Sequence, residues 1–240
     1  MHLLIPAAGL GQRMSAAWVN QSAVQRNKLL LTILGKPILA WTLLAAESAQ
    51  SIDWIGIIAQ PADWPDIQDI LQKISITKPV QLITGGTTRQ ESVYCGWQAL
   101  PPMAATVLIH DGARCLGSAN LIDRCAQELN TCEGLVAAVP VKDTIKIVDQ
   151  YQIVTSTPDR SNLWAAQTPQ GFKVQLLKDC HEQGRQMGWS VTDDAALFEL
   201  CHIPVKVVMG EETNLKVTTP EDLALAELIL NQRLEAKLES

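Results

Sequence analysis

Leu3-Leu4-Ile5-Pro6-Ala7-Ala8-Gly9-Leu10-Gly11-Gln12-Arg13-Met14 opens on a short apolar run and turns through two glycines onto a basic residue. The apolar run has the composition of a parallel strand buried on both faces. Gly9 and Gly11 lack a Cβ, so the chain can take positive φ there and bring backbone N–H groups close to an anion. Two familiar phosphate loops are excluded by the same residues. A Walker loop needs Lys-Ser or Lys-Thr after its last glycine, and none follows. The dinucleotide pattern G-x-G-x-x-G fails at its third glycine, where Met14 stands. The acid that would grip a ribose is missing too, because the second apolar run, Ile52 to Ala59, leads into Gln60-Pro61.

Working outward, strand and helix patterns alternate. A helix starts near Pro37 and runs to about Ser48, with proline suited to a first turn. Strand 52–59 precedes an amphipathic helix over 63–74, with Ile67, Ile70, Leu71 and Ile74 on one face. Strand 80–84 ends at Gly85-Gly86-Thr87-Thr88-Arg89-Gln90-Glu91-Ser92, which opens a helix to Leu100. Strand 107–110 ends at Asp111-Gly112-Ala113-Arg114, and helix 119–129 leads to strand 135–139. Further helices are expected over 173–187, over 194–201 and from Thr219 to the end, with short strands at 205–209 and 214–217.

This alternation predicts a Rossmann-like α/β fold: an open, mostly parallel twisted sheet with helices on both faces. No linker, repeat or low-complexity stretch divides residues 1–240, so one domain is expected. Residues 142–157 interrupt the pattern. Their alternation on both sides of Asp149-Gln150 predicts a protruding β-hairpin, either a lid or an arm that reaches a second subunit, and apolar faces on a lone hairpin favour the arm.

The chain has 240 residues and a formal net charge of −6. An acidic balance argues against nucleic-acid or membrane-surface binding. Six cysteines, at 95, 115, 125, 132, 180 and 201, show neither C-x-x-C pairs nor zinc-ligand spacing, as reduced thiols of a cytoplasmic protein would. Cys180-His181 and Cys201-His202 are adjacent, and neighbours on a helix diverge by about 100°, so neither pair suits a nucleophile and its base. No charged leader and no apolar run of about 18 residues is present, so neither export nor a membrane span is expected.

In an open parallel sheet, ligands bind at the carboxyl ends of the strands. Three strand-end turns then face one edge, carrying Gly9, Gly11 and Arg13; Gly85, Gly86, Arg89 and Ser92; and Asp111 and Arg114. Glycine amides, Arg13 and Lys28 suit the phosphates of a nucleoside triphosphate, and Asp111 offers a hard oxygen to Mg²⁺ or another hard divalent cation. On residue type alone Asp111 also suits a turn and Lys28 a solvated surface. The polar stretch between Met14 and Lys28 reads as a loop that an anionic ligand would order. His110 reads as a strand-end packing residue.

Pro6-Ala-Ala-Gly-Leu-Gly-Gln-Arg-Met14, Gly85-Gly-x-x-Arg-x-x-Ser-Val93, His110-Asp-Gly-Ala-Arg114, Pro140-Val-Lys-Asp-Thr144, Thr157-Pro-Asp-Arg160, Thr168-Pro-Gln-Gly-Phe172, Thr192-Asp-Asp-Ala195 and Asn214-Leu-Lys-Val-Thr-x-Pro-Glu-Asp-Leu223 follow in this order. Together they resemble the 2-C-methyl-D-erythritol 4-phosphate cytidylyltransferase family, whose fold is that of the nucleotide-diphospho-sugar transferases. The resemblance implies transfer of a cytidylyl group from CTP to a polyol phosphate, with Mg²⁺, on a homodimer joined through the 142–157 arm.

It further implies that Arg13 and Lys28 are catalytic. Pro6, Ala7, Ala8, Gly9, Gly11, Gly85, Gly86, Arg89, Ser92 and Asp111 would surround the nucleotide. Asp111, Arg114, Thr168 and Lys216 would hold the acceptor, with Thr144 and Arg160 supplied by the other subunit. Asp111 would also bind the metal. Three departures stand out: Lys28 sits in Asn27-Lys28-Leu29 after a longer loop instead of in Pro-Lys-Gln, Thr87 occupies a position that is often acidic, and Cys115 replaces a frequent proline. Alternatives of the same motif set are a ribitol 5-phosphate cytidylyltransferase and a nucleotide sensor without turnover.

Overall fold

The computed structural model describes residues 1–9 and 27–238. Gly11, Arg13 and the loop expected between Met14 and Lys28 lie outside these residues. Leu3, Leu4 and Ile5 are fully buried because β1 (His2–Pro6) is a central strand flanked on both sides. A single 3-10 turn (Lys28–Leu30) and the small β2 (Thr32–Ile33) and β3 (Lys36–Pro37) precede α1 (Ile38–Ser48). Then come β4 (Trp54–Ala59), α2 (Trp64–Lys73), β5 (Val80–Thr84), α3 (Arg89–Gln98), β6 (Thr106–Ile109), α4 (Ala119–Glu128) and β7 (Gly134–Pro140). The chain closes with β8 (Ile147–Val148), β9 (Val154–Ser156), β10 (Trp164–Lys173), α5 (Val174–Met187), α6 (Asp194–Leu200), β11 (Val205–Met209) and α7 (Pro220–Leu238).

Among the described residues, seven strands form one sheet in the order β11-β7-β10-β6-β1-β4-β5. Period-two alternation divides its side chains between two cores. Leu3, Ile5, Ile55 and Ile57 pack under α1, α2, α4 and α7 on one face. Leu4, Ile58, Val107, Ile109 and Phe172 pack under α3, α5 and α6 on the other. The expected α/β sheet with helices on both faces is therefore present. No helix among the described residues is long and apolar enough to cross a membrane.

One strand is unexpected, and one expected strand is absent. Residues 164–172, with Pro169 and Gly171, carry no strand-like alternation, yet β10 is a ten-residue strand inserted antiparallel between β6 and β7. Its polar residues are tolerated because they find buried partners, as Gln170 does with Asp193 and with the amides of Asp194 and Ala195. Residues 214–217 form no strand. Asn214 is buried there because its amide donates to Gln167 Oε1 and to the Thr168 carbonyl, while the Val217 amide donates to the Ala113 carbonyl. The hairpin expected over 142–157 reduces to β8 and β9, which pair with each other and, among the described residues, with no other strand.

Candidate active site

The strand-end turns converge because β1, β4, β5 and β6 run parallel and end at one edge. A cavity of about 810 Å³ opens there. From the first turn it is lined by Pro6, Ala7, Ala8 and Gly9, and from the turn after β5 by Gly86, Thr87, Thr88, Arg89 and Ser92. Asp111 and Ala113 follow β6, while Lys28, Gln60, Lys216 and Thr218 complete the wall.

Each wall has a local cause. Thr88 caps α3 in a reciprocal box with Glu91, whose carboxylate also takes the Thr87 amide at 2.8 Å. This fixes the turn and leaves Arg89 in the first helical position. Gly85 lies behind the wall: a Cβ there would stand 2.6 Å from the Ala8 Cβ and 3.1 Å from Ser92 Oγ, so the Gly85 backbone packs directly against the Ala8 methyl and the Ser92 side chain. The Ser92 hydroxyl is spent on the Thr88 carbonyl at 2.8 Å.

Lys28 reaches the cavity through a residue that sequence reasoning missed. Asn27 caps the 3-10 turn by accepting the Leu29 amide at 3.0 Å, and its side-chain amide donates to the Ala7 carbonyl and to Asp63, both at 2.8 Å. Lys28 is thereby pinned to the end of β1, and its Nζ donates to the Val217 carbonyl at 2.7 Å. The only sequence signal was asparagine's preference for caps.

Asp111 is the electrostatic centre. Its Oδ1 meets Arg89 Nε at 3.2 Å and its Oδ2 meets Lys216 Nζ at 2.7 Å. Burial alone would raise its pKa, but Arg89 and Lys216 outweigh that and hold the carboxyl well below its usual range. The group is therefore an anion near neutral pH.

Thr168, expected in the acceptor pocket, is turned inward instead. Its hydroxyl accepts the Asp111 amide at 3.0 Å and lies 2.9 Å from His110 Nδ1. With the imidazole proton on Nε2, which faces the Arg114 carbonyl acceptor 3.4 Å away, the hydroxyl is the donor to Nδ1. Burial pushes the imidazole down to about 4, against a smaller upward pull from Asp111, so it is neutral near pH 7. His110 supports the strand end, as expected of a packing residue, and does so through a hydrogen-bond chain to the Asp111 backbone.

Arg114 follows Asp111 but is drawn to the loop after β11, donating to the Asn214 carbonyl at 2.7 Å and to the Ala166 carbonyl at 3.4 Å. Burial lowers its pKa. Thr144 and Arg160 lie away from their own chain's cavity: Thr144 is exposed, and Arg160 donates to the Lys142 carbonyl at 3.0 Å. Among the described residues no group of three His, Cys, Asp or Glu side chains converges.

Such a site places one ionised carboxylate among cations and backbone loops, which suits a polyphosphate with its metal. Residues 1–232 match the family model of 2-C-methyl-D-erythritol 4-phosphate cytidylyltransferase. The protein of that name from Crocosphaera subtropica is 68% identical over 97% of this chain and 99% of its own length. Its namesake from Synechocystis is 60% identical over 97% and 98%. A crystal structure of 4-diphosphocytidyl-2C-methyl-D-erythritol synthase from Anaerococcus prevotii superposes with a TM-score of 0.83 at 33% identity, covering 96% of this chain and 97% of that one. The 2-C-methyl-D-erythritol 4-phosphate cytidylyltransferase of Thermus thermophilus gives 0.72 at 30% identity, covering 95% and 97%. Fold, motif order and these likenesses agree over the whole length, and the chain belongs to the 2-C-methyl-D-erythritol 4-phosphate cytidylyltransferase family.

Proposed function

We propose that this chain transfers the cytidylyl group of CTP to 2-C-methyl-D-erythritol 4-phosphate, giving 4-diphosphocytidyl-2-C-methyl-D-erythritol and pyrophosphate. The observation that carries the reading is Asp111: a buried anion at the carboxyl edge of the sheet, flanked by Arg89 and Lys216 and facing the cavity between the two glycine turns. An oxygen of the acceptor phosphate attacks the α-phosphorus in line. One P–O bond forms, the bond to the β-phosphate bridge breaks, and the electron pair leaves with pyrophosphate.

A phosphate monoester, with a second pKa of about 6, is already largely dianionic near neutral pH, so the step needs no general base. Catalysis rests on alignment and on cations placed where charge accumulates. Arg13 and Lys28 take that role at the triphosphate. The turns Pro6–Gly11 and Gly85–Gly86, with Arg89 and Ser92, enclose the nucleotide. Asp111, Arg114 and Lys216 face the acceptor, and Thr168 acts behind them.

The donor set suits Mg²⁺. A single ionised carboxylate, with nucleotide phosphates completing the shell, is how this ion is commonly held, and Asp111 is that carboxylate. Bound there, the ion would neutralise charge on the phosphates.

Residues 1–240 act as one domain, and the arm joins two copies. Ile147, Val148, Tyr151, Ile153 and Val154 on it are all at least half exposed. A two-stranded hairpin with such faces is marginal by itself. A homodimer covers them and brings Thr144 and Arg160 to the partner's acceptor pocket. Six free thiols suit a reducing cytoplasm.

The reading is tested by measuring pyrophosphate release from CTP and Mg²⁺ with 2-C-methyl-D-erythritol 4-phosphate, with ribitol 5-phosphate and with neither. Turnover with the first acceptor is expected. Turnover with ribitol 5-phosphate alone, or none with either while CTP binds, would refute it.

A further inference from the structure

The Thr192-Asp193-Asp194-Ala195 motif resembles a helix cap, but its two carboxylates do different work. Asp193 is the cap: its Oδ1 accepts the Ala196 amide at 3.1 Å and its Oδ2 accepts Gln170 Nε2 at 2.8 Å. The amides of Asp194 and Ala195 are both taken by Gln170 Oε1, at 3.1 and 3.2 Å. The Asp194 carboxylate is left without a capping duty. It is fully buried and lies outside the cavity lining.

That carboxylate is committed to Arg89. Asp194 Oδ2 meets Arg89 Nη1 at 2.7 Å, whereas Asp111 receives only the longer Nε contact of 3.2 Å. A side-on pair between Arg89 and Asp111 would use Nε together with Nη2. Nη2 is buried and has no hydrogen-bond partner among the described residues, so that pair is incomplete. The second Asp194 oxygen has no hydrogen bond either, and His181 Nε2 stands 3.6 Å from it. Burial works against ionising Asp194, but Arg89, and then His181, more than offset this. A buried charge is costly unless paired, so the anion is there for the guanidinium it holds.

Resting on the cytidylyl-transfer reading, we propose that Asp194 is a positioning residue that acts through Arg89. It anchors one end of the guanidinium so that Arg89 cannot close side-on over Asp111. The remaining lone pairs of Asp111 then stay available to the acceptor and to a cation on the phosphates. Lys216, a single-point donor on the other oxygen, leaves the same freedom.

Two variants test this, with kcat and the KM for CTP measured for each and folding checked by circular dichroism. Asp194→Asn keeps the shape and releases Arg89 onto Asp111. It is expected to lower kcat by roughly tenfold or more, the scale of one charged hydrogen bond, with little change in KM. The double variant Arg89→Leu with Asp194→Leu removes both buried charges, which is often well tolerated. It is expected to regain kcat to several times the Asp194→Asn value, while its KM rises because Arg89 lines the cavity.

A merely structural Asp194 predicts the opposite order, with the double variant no faster than the single one, and that result overturns the proposal. Should Asp194→Asn fail to fold, the double variant decides alone: kcat within about tenfold of wild type upholds the proposal, and loss beyond about a hundredfold overturns it. Wild-type turnover in the same assay separates failure here from failure of the assigned reaction.

Discussion

Acidification should weaken the fold through one residue beside the site, His110. The ring is 1% exposed, and burial lowers its pKa from 6.5 to about 4. Above pH 6.5 the side chain is neutral in both folded and unfolded chains and contributes no pH dependence. Between about 6.5 and about 4 the unfolded chain binds the proton and the folded one does not. Stability must therefore fall as pH falls through this window, and the contribution is constant below it.

Between pH 7 and pH 5 the expected loss is about 2 kcal/mol, since each unit of pKa difference is worth about 1.4 kcal/mol once fully expressed. His2, lowered first by burial, adds in the same direction. Asp111 and Asp194 also destabilise the fold on acidification, but below their unfolded value of 3.8, so they fall outside the window.

Urea unfolding followed by tryptophan fluorescence, with seven reporters in the chain, measures the slope. The control is His110→Asn, whose carbonyl oxygen replaces Nδ1 as acceptor of the Thr168 proton but does not titrate. It should be less stable at pH 7 yet lose about 2 kcal/mol less than wild type on going to pH 5. Parallel pH profiles for the two proteins would refute the burial argument and, with it, the neutral tautomer that orients Thr168 toward the Asp111 amide.

Two further outcomes follow from the site. Lys28→Ala removes a cation from the cavity wall, so turnover should fall by about a hundredfold to a thousandfold, the effect of losing one preorganised charge donor, while circular dichroism still reports a folded protein. Near-normal turnover would transfer the role to another cation such as Arg26. Arg13→Ala and Arg160→Ala should each inactivate the protein, and mixing the two after subunit exchange should restore part of the pyrophosphate release if arms serve the partner's site. No recovery after demonstrated exchange would place each arm in its own subunit's chemistry.

The three strand-end turns were legible because each joins two local signals, an apolar run that ends and glycines or charges that begin there. Leu3–Ile5 followed by Gly9, Val80–Thr84 followed by Gly85-Gly86, and Val107–Ile109 followed by Asp111 all carry that junction. β10 was hidden for the opposite reason. Gln167, Thr168, Pro169 and Gln170 have the composition of a turn, and only partners on β6, on α6 and in the loop after β11 allow them to lie inside a sheet. Residues 214–217 misled in the reverse sense: Asn214 is held through its side-chain amide by the Thr168 carbonyl on β10 and Val217 through its backbone amide by the Ala113 carbonyl, and no strand forms.

Asp193 and Asp194 mark the limit of local reading most clearly. They are the same residue type in consecutive positions before a helix, so propensity assigns either one to the cap. What separates them is Arg89, 105 residues earlier, together with Gln170 on a strand that local pattern did not reveal. Gln170 fixes Asp193 and the following amides, and among the described residues the partners left for the Asp194 charge are Arg89 and the nearby His181. The anion's function is thus set by which donors its neighbours have already taken. Substituting Gln170 should therefore disturb turnover as well as stability, because it releases the helix start that aims Asp194 at the guanidinium.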